Sequence, residues 1–172
     1  MLKKFSVKVK AYSKSAILCT KNDDVLKINE DVLKRLDGNS LTYFSIDTVE
    51  FNDEAERENF PIEFLNSLSP SGMPPHKLNL KVGAIKMLLR NLNTKKGLYN
   101  GTRLQVTKLS KNFICTTILT GTAEGNSAFI PRIDLAPINP DLPFVLHRTQ
   151  FPIILAFFIT INYQCLAMVN CM

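Results

Sequence analysis

The stretch from Met73 to Leu109 leaves this chain few choices. Pro74-Pro75 cannot lie inside a helix or a central strand, so a new element starts after them. Val82 to Leu92 is an apolar-rich run with no helix breaker, short enough for a strand. Thr94-Lys95-Lys96-Gly97 is polar and contains a glycine, and Asn100-Gly101 is a strong tight-turn dipeptide. Thr102 to Leu109 then alternates, with Leu104, Val106 and Leu109 set against Arg103, Gln105 and Lys108. The pattern predicts strand, turn, strand.

Charge is divided sharply around this stretch. From Phe64 to Ala123 there is no Asp or Glu, while Lys77, Lys81, Lys86, Arg90, Lys95, Lys96, Arg103, Lys108 and Lys111 all fall there. The preceding segment is the opposite, with Asp47, Glu50, Asp53, Glu54, Glu56, Glu58 and Glu63 against Arg57. An acid-free basic block suits a phosphate backbone, through release of counterions. It equally suits a solvated positive face with no ligand. Lys86 interrupts an apolar run, so its ammonium must reach the surface or find a partner.

The 172 residues amount to about one domain, or one with a small insertion. Met1 to Lys14 carries five lysines and no acid. It reads either as a basic leader resembling an organellar presequence, though without arginine, or as a strand in which Phe5, Val7 and Val9 alternate with polar residues. Ala16 to Cys19 is a candidate buried strand. Asn22 is placed to cap a helix, with Asp23 and Asp24 in its first turn. Val25, Ile28, Val32, Leu33 and Leu36 recur at helical spacing, Glu30 and Lys34 are set to pair, and Gly38 is placed as the stop. Leu41 to Val49 returns as a strand, Phe51 to Leu68 is an acidic connector with a short helix from Ile62, and Phe113 to Leu119 is a further strand. Ser127 to Leu135 is another, made an edge or bulge by Pro131. Phe151 to Met172 has no charge, but its strongest run is eleven residues, against the roughly 20 of a membrane span, so it reads as a buried central strand.

Several of these segments carry a resemblance. Leu78-x-Leu80-x-x-Gly83-Ala84-x-x-Met87-Leu88-x-Arg90-Asn91-Leu92, followed by Gly97-Leu98-x-Asn100-Gly101-Thr102-Arg103, resembles the Pif-type 5′-to-3′ DNA helicases of superfamily one, including the Helitron-type helicases. Ala16-Ile17-Leu18 with Asn22, Val25 and Ile28-Asn29 is similar to the first strand and helix of that family's second RecA-like domain. Phe151-Pro152, Ala156-Phe157 and Thr160-Ile161-Asn162 are similar to a later strand of it. The resemblance implies an α/β chain: a partial RecA-like parallel sheet with an inserted small SH3-like β-barrel (2B). Its parts would be a basic leader at 1–14, the first RecA-like elements at 15–62, the barrel at 63–137, and the return strand with a divergent tail at 138–172.

The same resemblance sets limits. After Asn162 the family continues Lys-Ser-Gln-Gly-Gln, where this chain has Tyr163-Gln164-Cys165-Leu166, so the polar loop that would approach phosphate is replaced. No G-x-x-x-x-G-K-[ST] occurs, so the cradle for ATP phosphates and Mg²⁺ is not in this sequence. ATP and Mg²⁺ are expected of the complete enzyme, on a first RecA-like domain, with no cofactor held here and no hydrolysis by this chain alone. The expected partner is single-stranded DNA, met by Lys95, Lys96, Asn100, Arg103 and Lys108 around one hairpin, with Thr160 and Asn162 near the DNA. His76 is expected exposed in its loop, and His147 at the surface or in packing. Cys19, Cys115, Cys165 and Cys171 show no metal-ligand spacing and read as thiols in a reducing compartment, in the nucleus or alternatively the mitochondrion. No membrane association is expected. The rival readings are a stand-alone nucleic-acid- or protein-binding module and a degenerate relic of a mobile element.

Overall fold

The computed structural model describes residues 17–19, 22–50, 60–137 and 144–160. A short strand β1 (Ile17–Cys19) leads into helix α1 (Asn22–Arg35). The helix ends where the sequence expects, with Lys34 and Arg35 in its last turn and Gly38 at φ 97°. Lysine also closes its C-terminal end from outside: Lys81 Nζ donates to the carbonyls of Lys34 and Leu36, at 3.2 and 2.7 Å. Those carbonyls have no partner within the helix, and a cation there also suits the helix dipole. The expected Glu30–Lys34 pair is not the one formed. Lys34 instead meets Asp31, one residue nearer, at 3.0 Å on the exposed face.

Beyond α1 the chain is mostly strand: β2 (Leu41–Phe44), β3 (Ile46–Glu50), the short helix α2 (Ile62–Ser67), β4 (Lys77–Leu80), β5 (Ile85–Leu88), β6 (Arg103–Leu109), β7 (Phe113–Ile118), β8 (Ser127–Pro131), β9 (Ile133–Leu135), β10 (Val145–Gln150), β11 (Ile153–Leu155) and β12 (Phe158–Thr160). Five strands form an antiparallel sheet in the order β11-β5-β6-β7-β8. A second antiparallel sheet runs β3-β10-β9, and β2 pairs with β4. β1 and β12 are parallel, and among the described residues this pair is what stands for the expected parallel sheet.

Three runs that read as single strands are each split between sheets. Leu41–Val49 breaks at Ser45, whose N–H donates to His76 O at 2.9 Å, so β2 joins β4 while β3 joins β10. Ser127–Leu135 breaks at Arg132, which sends β8 into the five-stranded sheet and β9 into the other. Phe151–Ile161 divides at Ala156-Phe157: β11 pairs with β5, and β12 with β1. Asn29 of α1 holds that last break. It is 1% exposed, and its amide donates to Leu155 O and Phe158 O and accepts from the N–H groups of Phe157 and Phe158. A buried backbone kink would otherwise lose these bonds.

One core runs from Leu33 and Leu36 of α1 through Leu78, Leu80, Ile85, Leu104, Val106, Ile114 and Ile130 to Phe151, Ile153 and Phe157. A smaller cluster of Leu65, Phe144 and Leu146 lies under α2. Between them sits Arg148, fully buried, with every guanidinium donor used. Nε and Nη2 reach the Asp47 carboxylate at 2.6 to 3.1 Å, Nη2 also reaches Leu65 O, and Nη1 reaches Leu68 O and Pro74 O. Ser45 Oγ donates its one hydrogen to Asp47 at 2.6 Å, so His76 Nδ1, 2.7 Å away, donates to Ser45. His76 is thus half-buried and engaged, not exposed in a loop as its sequence context suggests.

Candidate nucleic-acid interface

The connection from β5 to β6, residues 89–102, is stiffened by its own polar atoms. Asn93 Oδ1 accepts from Lys96 N at 3.1 Å, which starts a single 3-10 turn over Thr94–Lys96. Gly97 ends it at φ 75°, and a Cβ there would stand 2.6 Å from the Ala123 methyl. Leu98 N then donates to Asn93 O and Leu92 N to Leu98 O, both at 2.9 Å. Tyr99 to Thr102 is a β-turn closed by Thr102 N to Tyr99 O at 3.0 Å, with positive φ at Gly101 but not at Asn100. That is a type II arrangement with glycine at its third position. The Thr102 hydroxyl, buried, donates to Gly97 O and accepts from Tyr99 N, tying the two turns together. Asn91 Oδ1 accepts from Asn100 N at 2.8 Å.

This loop presents Lys95, Lys96 and Asn100 together, all exposed. The other predicted contacts lie elsewhere. Lys108 is exposed but sits near the far end of β6, so it is about 20 Å of strand away from the loop. Arg103 is corrected outright as a surface contact. It is 8% exposed, and its guanidinium reaches Ala156 O at 3.3 Å. The alternation that sets Arg103 opposite Leu104 predicts solvent on its side, but at this end of β6 the sheet is covered on both faces, with Ile85, Lys86 and Leu88 of the neighbouring β5 all fully buried. Burial pulls the Arg103 pKa down from its ordinary value. Thr160 closes β12, where its backbone pairs with Cys19, and Asn162 lies outside the described residues.

The basic block therefore divides by use. Lys86 is fully buried on the core face opposite Leu104, with Nζ 3.2 Å from Asn79 O, and burial holds its pKa well below the ordinary lysine value. Lys81 and Arg90 are spent on carbonyls, Arg90 on those of Gly72, Leu89 and Ala136. Lys77, Lys95, Lys96, Lys108 and Lys111 are left exposed. Elsewhere, His147 spans Asp134 at 2.9 Å and Glu50 at 3.4 Å, through opposite ring nitrogens. The hydrogen bond that its Nδ1–H donates to the Asp134 carboxylate is the main cause that raises its pKa. The two carboxylates do not converge on one point, and among the described residues no group of His, Cys, Asp and Glu could hold a metal ion. Cys115 is an unbridged, half-buried thiol, and Cys165 and Cys171 lie outside the described residues. Among the described residues no helix is long and apolar enough to cross a membrane.

Sequence reasoning passed over Phe129. It is 67% exposed on β8 and meets Phe113 edge-on at 6.0 Å. The alternation of β8, with Ala128 and Ile130 buried, was the available signal. Asp47, Arg148 and Asn29 were also not singled out for what they do: Asp47 and Arg148 find each other 101 residues apart, and Asn29 bonds backbone atoms 126 to 129 residues away.

Residues 63–109 match the protein family described as DNA helicase Pif1, 2B domain. The chain is 30% identical over 148 residues to the ATP-dependent DNA helicase PIF1 of Xenopus laevis, covering 84% of this chain and 21% of that protein. It is 36% identical over 86 residues to the PIF1 helicase of Danio rerio, covering 12% of it. Among solved structures it is similar to unliganded Pif1 from a Bacteroides species, with TM-score 0.60 and 28% identity over 90% of this chain and 44% of that one. It is also similar to Bacteroides Pif1 bound to single-stranded DNA, with TM-score 0.57 and 27% identity over 85% of this chain and 31% of that one. The chain thus spans about a fifth of the first of these curated relatives. Its 2B segment, and the likeness that extends on both sides of it, make this chain a relative of the Pif-type DNA helicases.

Proposed function

We propose that this chain binds single-stranded DNA through the loop between β5 and β6, as part of a helicase that unwinds DNA in the 5′-to-3′ direction. One observation carries the reading. Within an acid-free segment, Lys95 and Lys96 stand exposed on a turn whose backbone is fixed by Asn93, Gly97 and Thr102. The fixed backbone spares the entropy of ordering the loop when it meets phosphates, and the released counterions supply the affinity. A relative solved with single-stranded DNA supports the choice of ligand. Asn100 adds a neutral contact beside them. Thr160 and Asn162 belong to the reading as further contacts implied by the resemblance, Thr160 at the end of β12 and Asn162 outside the described residues. The strands β5 to β8, within residues 63–137, are read as belonging to the family's inserted SH3-like barrel, with β11 coming from the return segment at 138–172.

ATP and Mg²⁺ belong, on this reading, to a first RecA-like domain carrying the Walker loop. The sequence has no such loop, and among the described residues no group of His, Cys, Asp and Glu could hold a metal ion. The complete enzyme would serve telomere maintenance, repair, recombination or transposition, in the nucleus or the mitochondrion.

The test is a salt titration of single-stranded DNA binding by the purified chain, beside Lys95→Glu/Lys96→Glu. The chain is expected to lose affinity steeply with salt, and the variant to bind at least about tenfold more weakly at low salt with a shallower slope. Arg103 is left intact, since a carboxylate there would be buried. Equal affinity and equal slope in both proteins would remove the loop as the contact surface.

A further inference from the structure

At its β11 and β5 side the five-stranded sheet is covered on both faces, but toward β8 its outer face is open. The pairing register sets Lys108, Cys115 and Phe129 in one row across β6, β7 and β8. The next row toward the β6–β7 turn sets Phe113 beside Pro131. Phe113 and Phe129 thus come from places sixteen residues apart in the chain to stand diagonally on one surface, 6.0 Å between ring centroids. They are 40% and 67% exposed, while the residues that alternate with them, Ile114, Ala128 and Ile130, fill the core. Lys108 and Lys111 are exposed on and beside this surface.

An exposed pair of aromatic rings is an unfavourable use of surface for a soluble sheet. Beside two lysines it has the composition that holds single strands: rings offer faces to bases, and ammonium groups follow the backbone. A duplex keeps its bases stacked inside and offers such rings nothing, so the chemistry selects unpaired bases. We propose that Phe113 and Phe129 form a stacking platform for the bases of single-stranded DNA, with Lys108 and Lys111 on the phosphates. It lies at the opposite end of β6 from the Lys95–Lys96 loop. It rests on the reading of this chain as a single-strand binder, but not on that loop being the contact.

The experiment measures binding of the full chain to labelled oligothymidylate of about 12 nucleotides, and to an abasic strand of equal length and charge. Phe113→Leu/Phe129→Leu keeps apolar bulk in the strands but removes the ring faces. Phe113→Tyr/Phe129→Tyr restores them and controls for folding. The chain is expected to prefer the base-bearing strand, and the leucine variant to lose that preference, a drop of about tenfold or more. The tyrosine variant is expected to keep it, and Lys95→Glu/Lys96→Glu to weaken both strands alike while leaving the preference intact. Equal binding of both strands by the unaltered chain would overturn the platform and leave the loop reading standing. Retention of the preference by the leucine variant would also overturn it, and would leave the rings to another partner such as protein. No binding by the unaltered chain would overturn both readings. Loss in the leucine variant with none in the loop variant would keep the platform and remove the loop.

Discussion

Arg148 and Lys95 carry the same formal charge, and the fold uses them in opposite ways. Arg148 is fully enclosed, with five donors aimed at one carboxylate and three backbone carbonyls. It binds β10 to β3, to α2 and to the loop before β4. Lys95 stands on a turn whose backbone is fixed by its neighbours, with its own side chain exposed. The junction spends charge on architecture, and the loop keeps charge in reserve. A formal charge of +6 therefore overstates the surface that a polyanion would meet, because among the described residues Lys86, Arg103 and Arg148 are buried while Asp47 is the one buried carboxylate.

The largest expected effect breaks the first half of that contrast. Arg148→Met would leave Asp47 buried with Ser45 as its remaining close partner, and three carbonyls without their donor. Stripping one member from a buried pair costs about 3 to 5 kcal/mol, which urea unfolding would register as a large fall in midpoint. A loss under about 1 kcal/mol would mean that water reaches the junction. Lys95→Glu/Lys96→Glu should by contrast leave the unfolding midpoint nearly unchanged, since both side chains are exposed.

Lys86 sharpens the comparison, because it is buried like Arg148 but has no carboxylate. Lys86→Met keeps an unbranched chain in the same space and removes the desolvated amine, so it is expected to stabilise by about 1 kcal/mol or more. The pH dependence has a definite sign. Burial lowers the folded-state pKa below the ordinary 10.5, so between those two values the unfolded chain binds more protons. The unaltered chain should thus gain stability as pH rises through that window, and the methionine variant should lack that gain. Identical profiles for the two proteins would show that the amine stays solvated.

The smallest effect belongs to His147, half-buried on the central strand of the three-stranded sheet. Its folded-state pKa is raised above 6.5, first by the hydrogen bond with Asp134. The stability it adds is present below 6.5 and is lost as pH rises through the raised value. His147→Gln should flatten that part of the profile while barely moving stability at high pH. A matched pair of thermal melts across the range would detect it.

How much of this could be read from residues alone depends on whether the partner was local. Helix α1 was legible because its apolar spacing and Gly38 lie within one short window. The loop at 94–101 was legible because its glycines and asparagines set its turns without outside help. The breaks at Ser45, Arg132 and Ala156 were not, since each is tied by a bond to a distant segment, Arg132 through its guanidinium to Phe44 O at 2.8 Å, and the runs around them look continuous. Arg103 was misplaced because alternation reports which side of a strand a residue takes, but not whether another layer covers that side. Lys108 was grouped with Lys95 through nearness in sequence, although a seven-residue strand carries it away. Phe129 was overlooked because its neighbour Phe113 is supplied by strand register.

The clasp of Asn29 on Phe158 joins residues 129 positions apart. On a ribosome, α1 leaves the exit tunnel long before the segment it holds, and β1 waits equally for β12. The hairpins from β5 to β8 pair with near neighbours, and β11 is the one strand of their sheet that arrives late. Synthesis thus favours a middle that folds early and an outer frame that closes last, with the apolar side of α1 in search of a partner for most of the interval.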